Sequence, residues 1–487
     1  MSETNQKKGL DINAKSFITA IIIIFALMCG TYALTFVIPS GEYARIVDAN
    51  GDIVLDTASG FQYVEGGMPF WKWILSPVLV LVAEGSGTIL AVIAFLLVIG
   101  GVFNGLDKCG LMQYMLDKIV DRFGASKYHL MAMIIFFFMA LGSFIGSFEE
   151  CVPLVPIVVA LSISLGWDDL TGLGMSLLAI GCGFAAGVCN PFTVGVAQNL
   201  VGLPMFSGIW LRLVSFIVIY SLLFIFVKSH AKKVEKQQNT TVAFSHSTDV
   251  SQTLYTEKQT TFQMFVSDEK KDNALKYFGG ILLVGVLVIF SSVLITALQD
   301  FTMIIVAVMF LVAGIISILT TGMSAKEMGT YFWNGVISIF PAVFMILMAS
   351  SIKYTLVEAK ILDTLLYSAV GIAETLPKEF VILFVYLLVL VMNFFISSGS
   401  AKAFLLMPLI VPLAQIFDIS AQLCVMAFAF GDGFSNVLYP TNAVLLISIG
   451  LVNVNYVKWF KWTWKFQLLN LIVTSLLLLV GLAIGYR

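Results

Sequence analysis

The sequence predicts an all-α polytopic membrane protein built as an inverted-topology repeat, and three observations carry that prediction. Of the 487 residues, 59% are hydrophobic and only 11% charged, against about 25% charged in a soluble protein. The chain twice sets two apolar arms around a polar tip. Residues 131–145 and 152–165 flank Gly146-Ser-Phe-Glu-Glu-Cys151, and residues 380–396 and 403–417 flank Ser397-Ser-Gly-Ser-Ala-Lys402. Each pair is followed by a long apolar run that contains a proline, residues 171–203 with Pro191 and residues 421–452 with Pro440. Arms of about fifteen residues are short against the ~20 that a helix needs to cross a hydrocarbon core, so each pair reads as a re-entrant hairpin. Proline in the following run removes a helix hydrogen bond and breaks the helix. A hairpin tip beside a broken helix is how transporters build a site near the bilayer midplane.

Taken in order, Lys7, Lys8 and Lys15 precede the first apolar run, residues 16–38. By the positive-inside rule they place the N-terminus in the cytoplasm. That run is too long for the apolar part of a signal peptide and has no small-residue cleavage site, so it reads as a retained helix. Residues 39–69 carry Glu42, Asp48, Asp52, Asp56 and Glu65 against the single base Arg45, as expected of an outside loop. Residues 74–84 read as interfacial, and residues 86–106 return to the cytoplasm, where Lys108, Lys118, Arg122 and Lys127 lie. Leu111, Met115, Ile119 and Val120 form a stripe that predicts an amphipathic surface helix. The first hairpin, residues 131–165, enters from the cytoplasm and returns at Asp168 and Asp169. The broken helix 171–203 runs outward, and residues 208–227 come back to Lys228, Lys232, Lys233 and Lys236.

Residues 228–276 are polar and without apolar periodicity, a cytoplasmic linker between a first repeat, 1–227, and a second, 277–487. The second repeat reads as spans 277–298, 303–320 and 333–351. A surface stripe of Ile361, Leu362, Leu365, Leu366 and Val370 follows, then the hairpin 380–417 entering from outside. The broken helix 421–452 is interrupted at Gly431-Asp-Gly-Phe-Ser-Asn436 and at Tyr439-Pro-Thr-Asn442. Lys458, Lys461 and Lys465, interleaved with Trp459, Trp462 and Trp464, read as a cytoplasmic interfacial anchor before the last helix, 468–484. Span, surface helix, hairpin and broken helix thus recur in the same order about 250 residues apart, which places the site between the halves.

The chemistry lies at the tips and breaks. Glu149 and Glu150 are costly inside a membrane, so they are functional candidates for a cationic group, a proton or a coupling cation. Asn190, Pro191, Thr193, Asn436, Thr441 and Asn442 offer amides, hydroxyls and proline-freed carbonyls that suit Na+ or a substrate carboxylate. Asp432 is a further intramembrane carboxylate. Ser398, Gly399 and Ser400 form a tip whose amides can meet an anion, and Lys402 brings an ammonium to membrane depth, where it is expected to face Glu149 and Glu150. The six cysteines show neither zinc nor disulfide spacing. There is no nucleotide-binding motif, no His-Glu-x-x-His motif and no nucleophile–base pair, so an ATP-driven pump and an intramembrane enzyme are disfavoured, and nothing points to nucleic acid.

Ile38-Pro-Ser-Gly-Glu-Tyr43, the Glu-Glu tip, Asn190-Pro-Phe-Thr193, Ser398-Gly-Ser-Ala-Lys402, Gly431-Asp-Gly-Phe-Ser-Asn436, Pro440-Thr441 and Lys458-Trp459 together resemble the YfcC family. That family lies within the DcuC-type group of four-carbon dicarboxylate carriers, some of whose members are basic amino-acid exchangers. The first tip departs from the family's usual form, with Gly146-Ser-Phe where Gly-Met-Ala or similar is usual before Glu-Glu. The resemblance implies a homodimer in the cytoplasmic membrane, with a scaffold and a mobile transport domain moving as an elevator. On this reading the protein is a secondary transporter of a small charged metabolite that uses no cofactor, with Na+ or H+ coupling or exchange left open. Three acids against one lysine favour a basic amino acid such as arginine or ornithine. The alternatives are a Na+- or H+-coupled four-carbon dicarboxylate carrier and, disfavoured by the paired broken helices, a channel.

Overall fold

A computed structural model describes residues 14–47, 53–83, 86–146, 148, 151–204, 206–245, 267–292 and 302–487. Glu149 and Glu150 lie outside the described residues, as do Lys7, Lys8, Asp48, Asp52 and Glu84. Helix α1 (Ala14–Val37) leads into the strands β1 (Gly41–Val47) and β2 (Ile53–Tyr63), the short helices α2 (Phe70–Ile74) and α3 (Ser76–Leu79), then α4 (Ser86–Lys108) and α5 (Leu111–Phe123). The first hairpin is α6 (Lys127–Ala140), prolonged by a wide π-type turn Leu141–Ile145, and α7 (Leu154–Ser164). The first long run is α8 (Asp169–Leu173), a π-type turn Gly174–Leu178 and α9 (Ala179–Ala186). Beyond a break it resumes as Pro191–Gly195 and α10 (Val196–Leu200). There follow α11 (Ile209–Ser245), α12 (Glu269–Ser292), α13 (Thr302–Thr320), α14 (Ala325–Glu358) and α15 (Leu362–Ala373). The second hairpin is α16 (Lys378–Phe395) and α17 (Gly399–Ile416). The second long run is α18 (Ala421–Asn436), a break, and α19 (Ala443–Leu451), and α20 (Tyr456–Ala483) closes the chain.

Among the described residues eight helices are long and apolar enough to cross a membrane. The protein is a mostly helical, multi-pass membrane protein. It is not all-α, because β1 and β2 pair as an antiparallel two-stranded sheet in which Gly41 pairs with Tyr63 and Val47 with Ile53. That sheet is clamped on the α14–α15 corner: Tyr43 donates its amide to Asp363 (3.0 Å), Arg45 pairs with the same carboxylate (3.0 Å), and Phe61 stacks on Tyr367 (4.4 Å).

Three further expectations change. Three of the four hairpin arms are longer than their apolar cores, 19 residues for Lys127–Ile145 and 18 each for Lys378–Phe395 and Gly399–Ile416, while α7 is 11 residues. The reason is that the helices take in charged and small residues at their ends. Gly431–Asn436 is no interruption, since α18 runs through it unbroken, and the second break is confined to residues 437–442. Helix α11 continues to Ser245 and α12 begins at Glu269, so helix enters the stretch 228–276 from both sides.

The bases of the two hairpins sit at opposite ends of α20, whose 28 residues span about 42 Å at 1.5 Å per residue. Near its start Lys458 pairs with Asp169, at the base of the first hairpin (2.7 Å). Just past its other end Ser420, beside the base of the second hairpin, donates to the Tyr486 carbonyl. Between them α9 and α18 are buried along their lengths. Small residues let these backbones approach, as they do at membrane helix contacts. A Cβ on Gly433 would run into the Ala185 backbone, and one on Gly183 into the Met139 backbone of α6. A Cβ on Gly431 would stand 2.6 Å from Val389 of α16. The sequence α6–α9–α18–α16 is therefore one tightly stacked layer, holding one arm of each hairpin against the two broken helices. A second group, in which α4 packs on α13 and α14, and α1 on α14, stands beside it.

Candidate functional site

At both breaks the chain resumes its helix on an asparagine cap. At the first, α9 ends on Gly187 in the left-handed conformation (φ 48°), where glycine carries no Cβ penalty. Asn190 then caps the next turn, its side-chain oxygen accepting from the amides of Phe192 (2.9 Å) and Thr193 (3.2 Å), with Pro191 in the first helical position. At the second, the Asn442 side chain accepts from Val444 (2.9 Å) and Leu445 (3.3 Å). The two asparagines are thus equivalent caps, one in each half.

Carbonyls freed by the breaks were expected to serve a ligand, but protein donors take several of them. Trp459, fully buried within the protein, donates to Val437 O (2.8 Å). Tyr456 donates to Leu438 O (2.8 Å) and Gln467 to Phe434 O (3.3 Å). At the first break Arg212 Nε donates to Val188 O (3.3 Å), while Ser143 of the first hairpin accepts from Val188 N (3.0 Å) and Cys189 N (3.0 Å). Buried backbone groups in hydrocarbon must find partners, and here α20, α11 and α6 supply them.

Both tips converge on the first break. A Cβ on Gly146 would meet the Asn190 amide oxygen and stand 2.8 Å from the Phe192 ring. A Cβ on Gly399 would stand 2.7 Å from Thr193 Cγ2 and 2.9 Å from Asp432 Oδ2. Lys402 does not reach out from the tip. It turns back into the protein, fully buried, and its ammonium meets Asp432 Oδ1, Asn393 Oδ1 and the Ile396 carbonyl (3.1 Å). Among the described residues the carboxylate partner of Lys402 is thus Asp432; Glu149 and Glu150 lie outside them. The cause is local: α17 folds back on α16 and packs against α18, which carries Asp432.

Asn393 is the hub of this network. Its two amide hydrogens are shared among three acceptors, Asp432 O (3.0 Å), Ser435 Oγ (2.6 Å) and Asn436 Oδ1 (2.9 Å), and Asn442 donates to the same Asn436 oxygen (3.0 Å). A continuous chain, Asn442–Asn436–Asn393–Lys402–Asp432, therefore joins the second break to the second tip. Ser398 caps α17 through Ala401 N (3.4 Å) and is exposed, with Ser400 half-buried beside it.

Some buried polar atoms in this region have no hydrogen-bond partner: Thr193 Oγ1, Asp432 Oδ2, Thr441 Oγ1 and Arg212 Nη1. Such atoms are costly unless something pairs with them. Arg212 is fully buried, and among the described residues it has no carboxylate partner; its Nη2 donates to Ser207 O (2.9 Å). Asn393, Ser143 and Arg212 went unmarked in the sequence, although a polar or ionisable residue inside an apolar helix is itself a flag. No cluster of three or more His, Cys, Asp or Glu side chains suited to a metal occurs among the described residues.

Residues 17–483 match the family model described as DcuC, C4-dicarboxylate anaerobic carrier. The chain is 29% identical, over 82% of its length and 79% of the relative's, to the Escherichia coli protein named "Putative basic amino acid antiporter YfcC". It is 21% identical, over 96% of its length and 97% of the other's, to an uncharacterized protein of Haemophilus influenzae. Among solved structures it is similar to the Alcanivorax borkumensis YdaH transporter, with a TM-score of 0.41 and 16% identity, over 96% of this chain and 98% of that one.

Proposed function

The chain belongs to the DcuC family, with a YfcC-type relative, and on that premise we propose that it is a secondary transporter of a basic α-amino acid such as arginine or ornithine. One observation carries the choice: a buried guanidinium with one nitrogen left free, Arg212 Nη1, and a buried carboxylate with one oxygen left free, Asp432 Oδ2, flank the first break. Arg212 holds the carbonyl of Val188 and keeps Nη1 free, while Asp432 Oδ2 lies with Thr193 around Gly399. A zwitterion complements that arrangement, its carboxylate toward Arg212 Nη1 and its ammonium toward Asp432 Oδ2 and Thr193 Oγ1. Glu149 and Glu150, three and four residues beyond Gly146 at the first tip, would take a second cationic group. A dicarboxylate finds no free cationic partner for its second charge on the Asp432 side, where the unpaired atoms are a carboxylate oxygen, which only accepts, and the Thr193 hydroxyl.

The reading places the protein in the cytoplasmic membrane, N-terminus inside, as a homodimer whose stacked layer of hairpins and broken helices moves as an elevator past the α1–α4–α12–α13–α14 group. The hairpins are re-entrant on this reading, because the first tip stops at the level of the first break while ten further residues, Pro191–Gly195 and α10, continue outward. Exchange, or coupling to Na+ or H+, drives it.

Purified protein in liposomes, offered labelled arginine, ornithine, lysine, succinate and malate under imposed Na+ or pH gradients, tests the proposal. Saturable uptake of a basic amino acid, with counterflow, is expected. Both Arg212→Gln and Asp432→Asn should then raise KM by about 10-fold or more, since each removes a charged partner worth about 1.5–3 kcal/mol. Uptake of succinate or malate and not of arginine, ornithine or lysine would overturn it.

A further inference from the structure

The ammonium of Lys402 sits in a cage of three oxygens of different kinds: the Asp432 carboxylate, the Asn393 amide and the Ile396 main-chain carbonyl (3.1 Å). Those three acceptors match the three donors of an ammonium, and Lys402 and Asp432 are both fully buried. Ile396 closes the C-terminus of α16, so its carbonyl is one of the orphaned acceptors at a negative helix end. Asn393, one turn earlier on α16, turns its oxygen to the same point, and Asp432 arrives from α18. Carboxylate, amide and carbonyl oxygens are also what hard cations take as ligands. With one carboxylate the cage carries a single negative charge. It is therefore matched to a monovalent cation rather than to Ca2+ or Mg2+, which take more oxygens or demand stricter geometry.

We infer that this cage is a monovalent-cation site which the chain fills permanently with its own Lys402 ammonium. The second hairpin and α18 are thereby locked together by a tethered cation, and no coupling Na+ is bound or released at that position during transport. A dissociable ion would link the closure of tip and helix to the ion's concentration. A covalently attached one leaves the pairing constant at any Na+ level. The inference rests on the cage and not on the nature of the substrate.

Thermal unfolding of the purified full-length protein without substrate tests it, with NaCl compared against choline chloride at equal ionic strength. The samples are the wild type, Lys402→Ala, and Lys402→Ala combined with Asp432→Asn. The lysine variant exchanges the tethered charge for space in the cage. It should be less stable than the wild type in choline and gain a saturable Na+ response, an upward shift of about 2–4 °C beyond any shift in the wild type. The double variant, with the carboxylate neutralised, should lose that extra response. The inference is overturned if Lys402→Ala is folded and responds to Na+ no more than the wild type, or if the gain persists in the double variant. It is also overturned if Lys402→Ala stays unfolded in Na+ as well as in choline, since Na+ should then replace the ammonium. Because no substrate is present, these outcomes are separate from success or failure of amino-acid uptake.

Discussion

Asn393→Ala is the most informative single truncation outside the charged pair. The side chain shares its two N–H groups among Asp432 O, Ser435 Oγ and Asn436 Oδ1, and its oxygen accepts from the Lys402 ammonium. Neutral side-chain hydrogen bonds between membrane helices average about 0.6 kcal/mol, so the two amide hydrogens contribute about 1 kcal/mol. The bond to a charged donor adds about 1.5–3 kcal/mol, because losing it leaves a buried ammonium short of an acceptor. The expected cost is about 3 kcal/mol. Tyr386→Phe is the matched control: it removes one buried hydrogen bond, to Thr474 (2.9 Å), between α16 and α20 and away from the cage. It should cost about 0.6 kcal/mol. Reversible unfolding of both variants in mixed detergent micelles measures the difference. If Asn393→Ala is no more destabilised than Tyr386→Phe, Asn393 is not the hub of a cooperative network and the reasoning fails.

Two further expectations concern the ends of the molecule. Burial raises the Asp168 carboxyl, but hydrogen bonds from His230 (3.0 Å) and Thr171 (2.9 Å) outweigh it and hold the group down at about 2, from an ordinary 3.8. A depressed carboxylate stabilises the fold above the unfolded value and loses that stabilisation as pH falls through the folded one. Thermal stability should therefore drop between pH 3.8 and about 2, and Asp168→Asn should flatten that segment of the profile while lowering stability at neutral pH. In a background without native cysteines, a single cysteine beside Asp168 should label from the cytoplasm and one beside Lys378 from outside. Labelling of both from the same face would remove the inverted orientation of the hairpins.

What the sequence made legible is what depends on local chemistry. Asn190-Pro191 and Tyr439-Pro-Thr-Asn442 announce breaks because proline cannot continue a helix and asparagine caps a new one, and both breaks lie there. The pairing of β1 with β2 also had a sequence signal, the β-branched residues Ile46, Val47, Ile53 and Val54, but the charges around them favoured a loop. Pairings between elements were not legible. Asp432 lies thirty residues beyond Lys402, and only the fold-back of α17 against α18 selects it over other carboxylates. Trp459 between lysines has the composition of a membrane-interface anchor. Its burial follows from Val437, whose freed carbonyl needs a donor that no local sequence rule assigns.

The two halves share a backbone plan but differ in how they place charge, and the difference bears on selectivity. Equivalent asparagines cap equivalent breaks, so main-chain geometry gives neither half a preference for one ligand charge. At the second tip the described charges cancel internally, Lys402 against Asp432, and one carboxylate oxygen is left over. At the first break the charge is Arg212, bound to main-chain carbonyls and to no acid among the described residues. An arginine kept there for helix capping alone could be replaced by a neutral donor, because two carbonyls need two N–H groups and not a full charge. Gln offers two N–H donors and no charge, so Arg212→Gln separates the two roles. Retained substrate affinity with retained stability would assign Arg212 to capping the break. Retained stability with a KM raised about 10-fold, as expected for loss of a charged partner, would assign its charge to the substrate carboxylate.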